Sequence, residues 1–518
     1  MNITNILKKF NINKNKYTMF GKDCAKLKLN SKHCVKPANK KLILVTAISP
    51  TPSGEGKTTV SIGLNDALNQ YQHKSILCLR QPSIGPTLGL KGGATGYGNS
   101  QIIPNQLINY GLTGDFYTIE TINNLIATVI ENHIFQGNKL QIDPKTIAWR
   151  RAIDLSDRSL RKIKIKIDKD ISYETGFDIT AASEIMVILC LSKNLNDFIK
   201  RINNSIVAYG KNKKPIYVKA FNLDNAIRIL ANDLIRPNCI ATLKNNLCIM
   251  HGGPFANIAH GCNSIIAINE AFKYAKYVVT EAGFGSDLGF EKFVNIIGRE
   301  YALPDAVVLC VTLKSIFYHS KKCADWHETF DIGIKNLIQH VELIRATGYQ
   351  PIIAINKFTN DKKEHLDYLI KWLKKVKVDF AIVDPASNNS KSFEPLVKLV
   401  VKETKTDKKI DFTYQLDEPL TKKIQNIVSK IYGFDTEVQY EKLAMSKINR
   451  FKNFNYYICM AKTPIAFSSD KNNVVYMKTD KVIIKDILIS HGPKFIIPIC
   501  ESIFRMPGLP KVPNAQKL

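Results

Sequence analysis

Thr51-Pro52-Ser53-Gly54-Glu55-Gly56-Lys57-Thr58-Thr59 decides how this chain is read. An apolar run, Leu42-Ile43-Leu44-Val45-Thr46-Ala47-Ile48, precedes it and reads as a buried strand; Val60 to Leu68 follows and reads as a helix. Strand, glycine-rich loop, lysine, hydroxyl and helix in that order form a phosphate-binding loop. The glycines let backbone N–H groups turn onto a polyphosphate, Lys57 reaches the β/γ-phosphates, and the Thr58 hydroxyl is placed for Mg²⁺. The first position of the usual GxxxxGK[ST] pattern is Thr51 rather than glycine. The bland alternative is a tight strand-to-helix turn carrying a surface lysine.

Outward from this loop, strands and helices alternate. Ser75-Ile76-Leu77-Cys78-Leu79 reads as a second strand, and Tyr277-Val278-Val279, Ala306 to Val311 and Pro351 to Ile355 as further buried parallel strands. Ile332 to Arg345 and Lys362 to Lys374 read as helices among them. The expected fold class is α/β: a P-loop-containing, doubly wound, mostly parallel sheet with additional smaller α/β or α+β domains. Expected divisions are a polar, Lys/Asn-rich loose arm at 1–40, a nucleotide-binding core at 41–375 with an inserted unit at about 140–250, and a C-terminal region at 376–518. The connection from Gln81 to about Gly114 reads as a long functional loop.

Bulk properties exclude several classes. A length of 518 residues calls for two or three domains. No apolar stretch reaches membrane-span length. Met1 to Lys16 has neither the apolar segment nor the cleavage site of a secretory signal, and it lacks the arginines of a transit peptide. The 11 cysteines form no C-x-x-C pair, which reads as reduced thiols in a cytoplasmic protein. The net charge of +28 comes from lysines spread along the chain, without arginine-rich or aromatic-interleaved runs. It reads as compositional drift that helps attract anionic substrates rather than as a specific nucleic-acid surface.

Other segments carry candidate chemistry. Arg80 ends the second strand beside the phosphate loop, where a guanidinium holds a phosphate or carboxylate with two parallel bonds. Gly89 to Gly98 is glycine-dense, with Lys91 embedded. Asp115, after Thr113-Gly114, reads either as an aid to Mg²⁺ or substrate, or as a helix cap. The block His251-Gly252-Gly253-Pro254 to Ser264 matches no zinc spacing and reads as a backbone-rich substrate loop. Glu281 and Asp287, in Glu281 to Gly289, read as metal ligands or as turn and cap residues. Asn356-Lys357-Phe358-Thr359 resembles the guanine-reading N-K-x-D of GTP-binding proteins but lacks the carboxylate.

Together these blocks resemble the formate–tetrahydrofolate ligase family over about Lys41 to Lys511. The resemblance is carried by the phosphate loop, Leu79-Arg80-Gln81-Pro82-Ser83-Ile84-Gly85-Pro86, His251 to Ser264, Glu281 to Gly289, Cys459 to Thr463, and Met506 to Lys511. It implies ATP-dependent ligation of formate to tetrahydrofolate through formyl phosphate, giving 10-formyltetrahydrofolate, ADP and phosphate. It further implies Lys57, Arg80 and Asp115 as catalytic residues, Thr51 to Thr59 and Phe358 as binding residues, and Thr58 as a metal ligand. Mg²⁺, room for a monovalent cation, and a homotetramer without membrane or nucleic-acid partners complete that expectation, with 376–518 contributing to the folate site. Several positions depart from the family pattern: Gln81 for glutamate, Thr95, Tyr97 and Asn99 in a glycine signature, Tyr117 for histidine, Lys314, Phe317 and Ser320 in a second signature, and Asn388 to Lys391 in place of a glycine-rich loop. Ala386 stands where the family has a tryptophan flanking the pterin. Losing one aromatic face costs about 1 kcal/mol of stacking, so weak folate binding is expected. The alternative reading is an ATP-binding or scaffold protein with weakened folate chemistry.

Overall fold

The structure is a computed structural model that describes all residues except 1, 30–33, 90–93, 255–258, 388–389, 434–435, 464–466, 468–473, 476–480, 501–503 and 518. Lys91, Gly92 and Gly93, Phe255 to Ile258, and Asn388-Asn389 thus lie outside the described residues.

Seven parallel strands form the centre of a large sheet: β1 (Lys41–Ala47), β2 (Ser75–Leu79), β3 (Leu247–Met250), β4 (Tyr277–Glu281), β5 (Ala306–Val311), β6 (Pro351–Asn356) and β7 (Phe380–Val383). Their spatial order is β3-β2-β4-β1-β5-β6-β7, and every neighbouring pair is parallel. The strands read as unbroken apolar runs because both faces are covered. Leu42 and Leu44 of β1 enter one core cluster, while Ile43, Val45 and Ala47 enter another. In β5, Val307, Leu309 and Val311 join the first, and Ala306, Val308 and Cys310 the second. The alternation is the two-residue period of a strand. Helices close both faces: α1 (Lys57–Gln70) adds Val60, Ile62, Leu64 and Leu68 to one cluster, while α2 (Ile265–Tyr274) and α3 (Trp326–Arg345) add Ile268, Phe272, Leu337 and Val341 to the other.

The expected loose arm at 1–40 is structured in its described part. Ile3–Lys9 is a helix capped by the Asn2 side chain on the Thr4 N–H, and Ile3, Ile6, Leu7 and Phe10 are buried. That i, i+3, i+4, i+7 spacing is a helical apolar stripe, masked in sequence by the surrounding lysines and asparagines. Tyr17–Phe20 and Cys24–Leu27 form a hairpin that extends the sheet antiparallel to Asn238–Thr242. The connection from 81 to 114 is not structureless either. It holds short helices at Ile84–Leu88 and Asn105–Asn109 and a hairpin, Gly96–Tyr97 with Ser100–Ile103, which pairs with Asn238–Thr242.

A third apolar cluster lies on the helices Asp115–Phe135, Glu184–Leu191, Leu195–Asn203 and Asp224–Leu234. The last 80 residues contain a helix, Lys442–Phe451, and short strands including Asp486–Ser490 and Phe495–Ile499. No helix among the described residues is long and apolar enough to cross a membrane.

Candidate active site at the carboxyl edge of the sheet

The strand order decides what meets the glycine loop. β4 lies between β1 and β2, so the residue ending β4 sits between the loop that follows β1 and the residue that follows β2. Those groups are Glu281, the loop with Lys57 and Thr58, and Arg80. Neighbouring strands are about 4.8 Å apart, which brings all four side chains to one edge.

The loop is shaped by its own residues. Gly54 and Gly56 adopt φ of 76° and 73°, the left-handed region that favours glycine. At Gly56 a Cβ would also lie 2.3 Å from the Asn356 side-chain nitrogen, which donates to the Glu55 carbonyl at 3.3 Å. Thr51 has no positive φ, so the position that departs from the glycine pattern has room for a side chain. Its N–H donates to one Glu55 carboxylate oxygen at 2.8 Å, and the Thr312 hydroxyl donates to the other at 2.8 Å. Glu55 is almost fully buried. Its carboxylate is committed to holding the loop against the end of β5. Pro52, Ser53 and Gly54 form the exposed crest.

Beyond the crest, Lys57 opens α1. Its ammonium is pushed below the ordinary lysine value by desolvation, against the largest opposing influence, Glu281, while the Arg80 charge depresses it further. Among the described residues no side-chain hydrogen bond or ion pair ties this ammonium down, so it is free to take a ligand. The Thr58 hydroxyl donates to one Glu281 oxygen at 2.8 Å, and the Arg80 guanidinium lies 3.6 Å from the other. Arg80 is further fixed by donation to the Pro254 carbonyl at 3.2 Å. His260 is fully buried, with its ring pushed down to about 3 by burial and then by the Arg80 and Lys292 charges, so it stays neutral. One carboxylate thus bonds a hydroxyl and faces a guanidinium, and its charge also reaches the Lys57 ammonium; partly buried, these charges act more strongly on one another than in water.

The sequence left Glu281 undecided between ligand and turn; the register of β4 against β1 and β2 makes it the hub. Asp287, from the same block, forms a fully buried ion pair with Lys462 at 2.9 Å. This joins the Glu281–Gly289 block to Cys459–Thr463. Asp115 opens its helix rather than capping it. Its carboxylate is buried and accepts from Lys26 at 2.6 Å and from the Asn238 side chain at 2.7 Å. His251 is buried between the Ser264 hydroxyl and the Leu234 carbonyl, both at 2.7 Å, and is pushed down to about 4 by burial. No cluster of three or more His, Cys, Asp or Glu suited to a metal occurs among the described residues. Gln81 is buried, with its N–H donating to the Gly252 carbonyl at 2.7 Å. Phe358 leaves the sheet just after β6 and is 44% exposed; Ala386 lies in the loop after β7.

The geometry defines a candidate site at the top of an α/β sheet, where a lysine, an arginine and a hydroxyl come to one edge. Residues 1–518 match the family model described as formate–tetrahydrofolate ligase, and the chain belongs to that family. It is 47% identical over 498 residues to a formate–tetrahydrofolate ligase of Malacoplasma penetrans (strain HF-2), covering 93% of this chain and 92% of that one. It is 42% identical over 532 residues to the same-named protein of Pelagibacter ubique (strain HTCC1062), covering 100% and 95%. It is also 42% identical over 527 residues to that of Campylobacter concisus (strain 13826), covering 99% and 94%.

Proposed function

We propose that this protein joins formate to tetrahydrofolate at the expense of ATP, giving 10-formyltetrahydrofolate, ADP and phosphate. The observation that carries the reading is that Thr58 and Arg80 meet at Glu281, with Lys57 beside Thr58 at the start of α1, within a chain whose whole length belongs to the ligase family.

In the first step a formate oxygen attacks the γ-phosphorus, the bond to the β–γ bridging oxygen breaks, and ADP leaves. Negative charge spreads over the equatorial oxygens in such a transfer, so positioned positive charge supplies most of the catalysis. Lys57 and the loop N–H groups hold the β- and γ-phosphates, and Arg80 holds the oxygens of the formyl phosphate. In the second step N10 of tetrahydrofolate attacks the formyl carbon, the carbon–oxygen bond to phosphate breaks, and the N10 proton is lost. The Thr58 hydroxyl and Glu281 carboxylate are hard oxygen donors within 2.8 Å of each other. They suit Mg²⁺, which they would hold beside the phosphates and which would supply positive charge against the charge developing there. Phe358, with 376–518, contributes to the folate side.

Glu55 holds the loop, and Asp115 stabilises the sheet edge instead of touching substrate. The same reading takes the enzyme to work in the cytoplasm as a homotetramer, an assembly that sedimentation tests. The test is ADP release with each substrate omitted in turn. Release must need formate and tetrahydrofolate together and yield formylated folate, and Lys57→Ala must abolish it. Mg-ATP binding without formyl transfer at saturating substrates would end the reading.

A further inference from the structure

We infer that Tyr97 provides an aromatic face for the pterin ring, from a hairpin clamped against the loop that carries Ala386. This role rests on the reading of Phe358 as a folate-side residue.

Three observations converge. The hairpin tip is fixed to the loop after β7: the Asn99 N–H donates to the Pro385 carbonyl at 3.2 Å, and the Asn99 side chain donates to the Ala386 carbonyl at 3.1 Å. Between them Gly98 approaches so closely that a Cβ would lie 2.7 Å from the Ala386 Cα. The glycine at 98, with φ of 59°, is therefore required both by the turn and by the contact. Second, β6 and β7 are neighbours, and the Lys357 N–H donates to the Val383 carbonyl at 2.9 Å. Phe358 and residues 385–386 therefore leave the sheet side by side. Third, both aromatic residues of this row are open: Tyr97 is 67% and Phe358 44% exposed. Where the two segments approach most closely the residues are small, Gly98 and Ala386, and Ala386 is itself exposed.

Two exposed rings on segments that both adjoin residues 385–386 offer faces for a flat heteroaromatic ring. The phosphate loop fixes the triphosphate end of ATP at Lys57, whereas a second flat substrate is needed beside it to receive the formyl group. The pterin answers that description. Two departures read separately from the sequence, tyrosine in the glycine signature and alanine at 386, become one spatial exchange: the ring is absent from one loop and present on the hairpin bonded to it.

The test uses full-length variants in steady state and in direct titration of tetrahydrofolate, followed by intrinsic fluorescence. Tyr97→Ala should raise the KM and dissociation constant for tetrahydrofolate about 3- to 10-fold, the worth of one ring contact, with kcat and the KM for ATP within twofold and the melting temperature unchanged. Tyr97→Phe should behave as the parent, because the ring and not the hydroxyl is used. Adding Ala386→Trp to Tyr97→Ala should recover affinity. An unchanged tetrahydrofolate constant, an equal rise for ATP, or a Tyr97→Phe defect as large as that of Tyr97→Ala each overturns the inference. Should no variant or parent form formyl-folate, the ligase reading itself fails. The titration then still decides Tyr97: affinity must fall in Tyr97→Ala, and unchanged affinity overturns its role.

Discussion

Glu55 distinguishes a residue that shapes the loop from one that touches the nucleotide. Glu55→Gln keeps the volume but leaves one acceptor where there were two. Either the Thr51 N–H or the Thr312 hydroxyl, each now bonded at 2.8 Å, then faces an amide NH₂ in a site almost closed to water. An unsatisfied buried donor costs about 1–3 kcal/mol. The residues next to Glu55, Pro52 to Gly54, are exposed, so the loop can escape this cost by rearranging locally without the domain unfolding. The penalty therefore appears as a smaller population of the binding-competent loop, and apparent affinity falls by that fraction. A cost of 1–3 kcal/mol corresponds to about 5- to 150-fold weaker Mg-ATP binding. Titration calorimetry with a non-hydrolysable ATP analogue should show that loss, while kcat at saturating ATP changes less than threefold and the melting temperature moves little. Unchanged affinity with a collapsed kcat would refute the reasoning and put Glu55 in direct contact with the reacting groups.

Two further substitutions probe buried charge. Asp115→Asn leaves the Lys26 ammonium, 1% exposed, without its counter-charge; about 3–5 kcal/mol of stability should be lost, seen in the denaturation midpoint, with kcat per folded molecule retained. A fall in kcat at unchanged stability would restore a catalytic role. Glu291 is held up to about 7 by burial, against the Lys292 charge and the Asn295 hydrogen bond. A carboxyl raised in the folded state binds more protons there than when unfolded, so it weakens the fold as pH rises from about 4.5 to 7, and the penalty stays in full above that. Glu291→Gln should accordingly raise the melting temperature at pH 8 and leave it nearly unchanged at pH 5; a gain of equal size at both would contradict the titration.

How far the chain could be read depended on the range of the interaction that fixes each feature. Leu42 to Ile48 announced a strand because burial on both faces demands an unbroken apolar run, and Gly56 announced its turn because only glycine fits there. Lys57 and Thr58 were legible because they close a glycine loop between a readable strand and a readable helix, and Arg80 because it directly follows a strand. Glu281 was not, since its meaning comes from β4 lying between β1 and β2, a non-local pairing. The partner of Asp115 was not legible either, because Lys26 is 89 positions away. Two misses had local signals. Ile3, Ile6, Leu7 and Phe10 keep a helical period inside a polar composition, and Gly98-Asn99 between Tyr97 and Ser100 is a hairpin turn signal, passed over in a loop judged by its glycine content.

At the centre stands the transfer of the γ-phosphoryl group onto formate in the cleft of Lys57, Arg80 and Glu281. Turnover of formate labelled with ¹⁸O at both oxygens follows that transfer atom by atom. The released phosphate should carry one ¹⁸O per formyl group transferred, because the oxygen that attacked phosphorus stays with it when N10 displaces phosphate. Formylated folate produced alongside unlabelled phosphate would contradict the account.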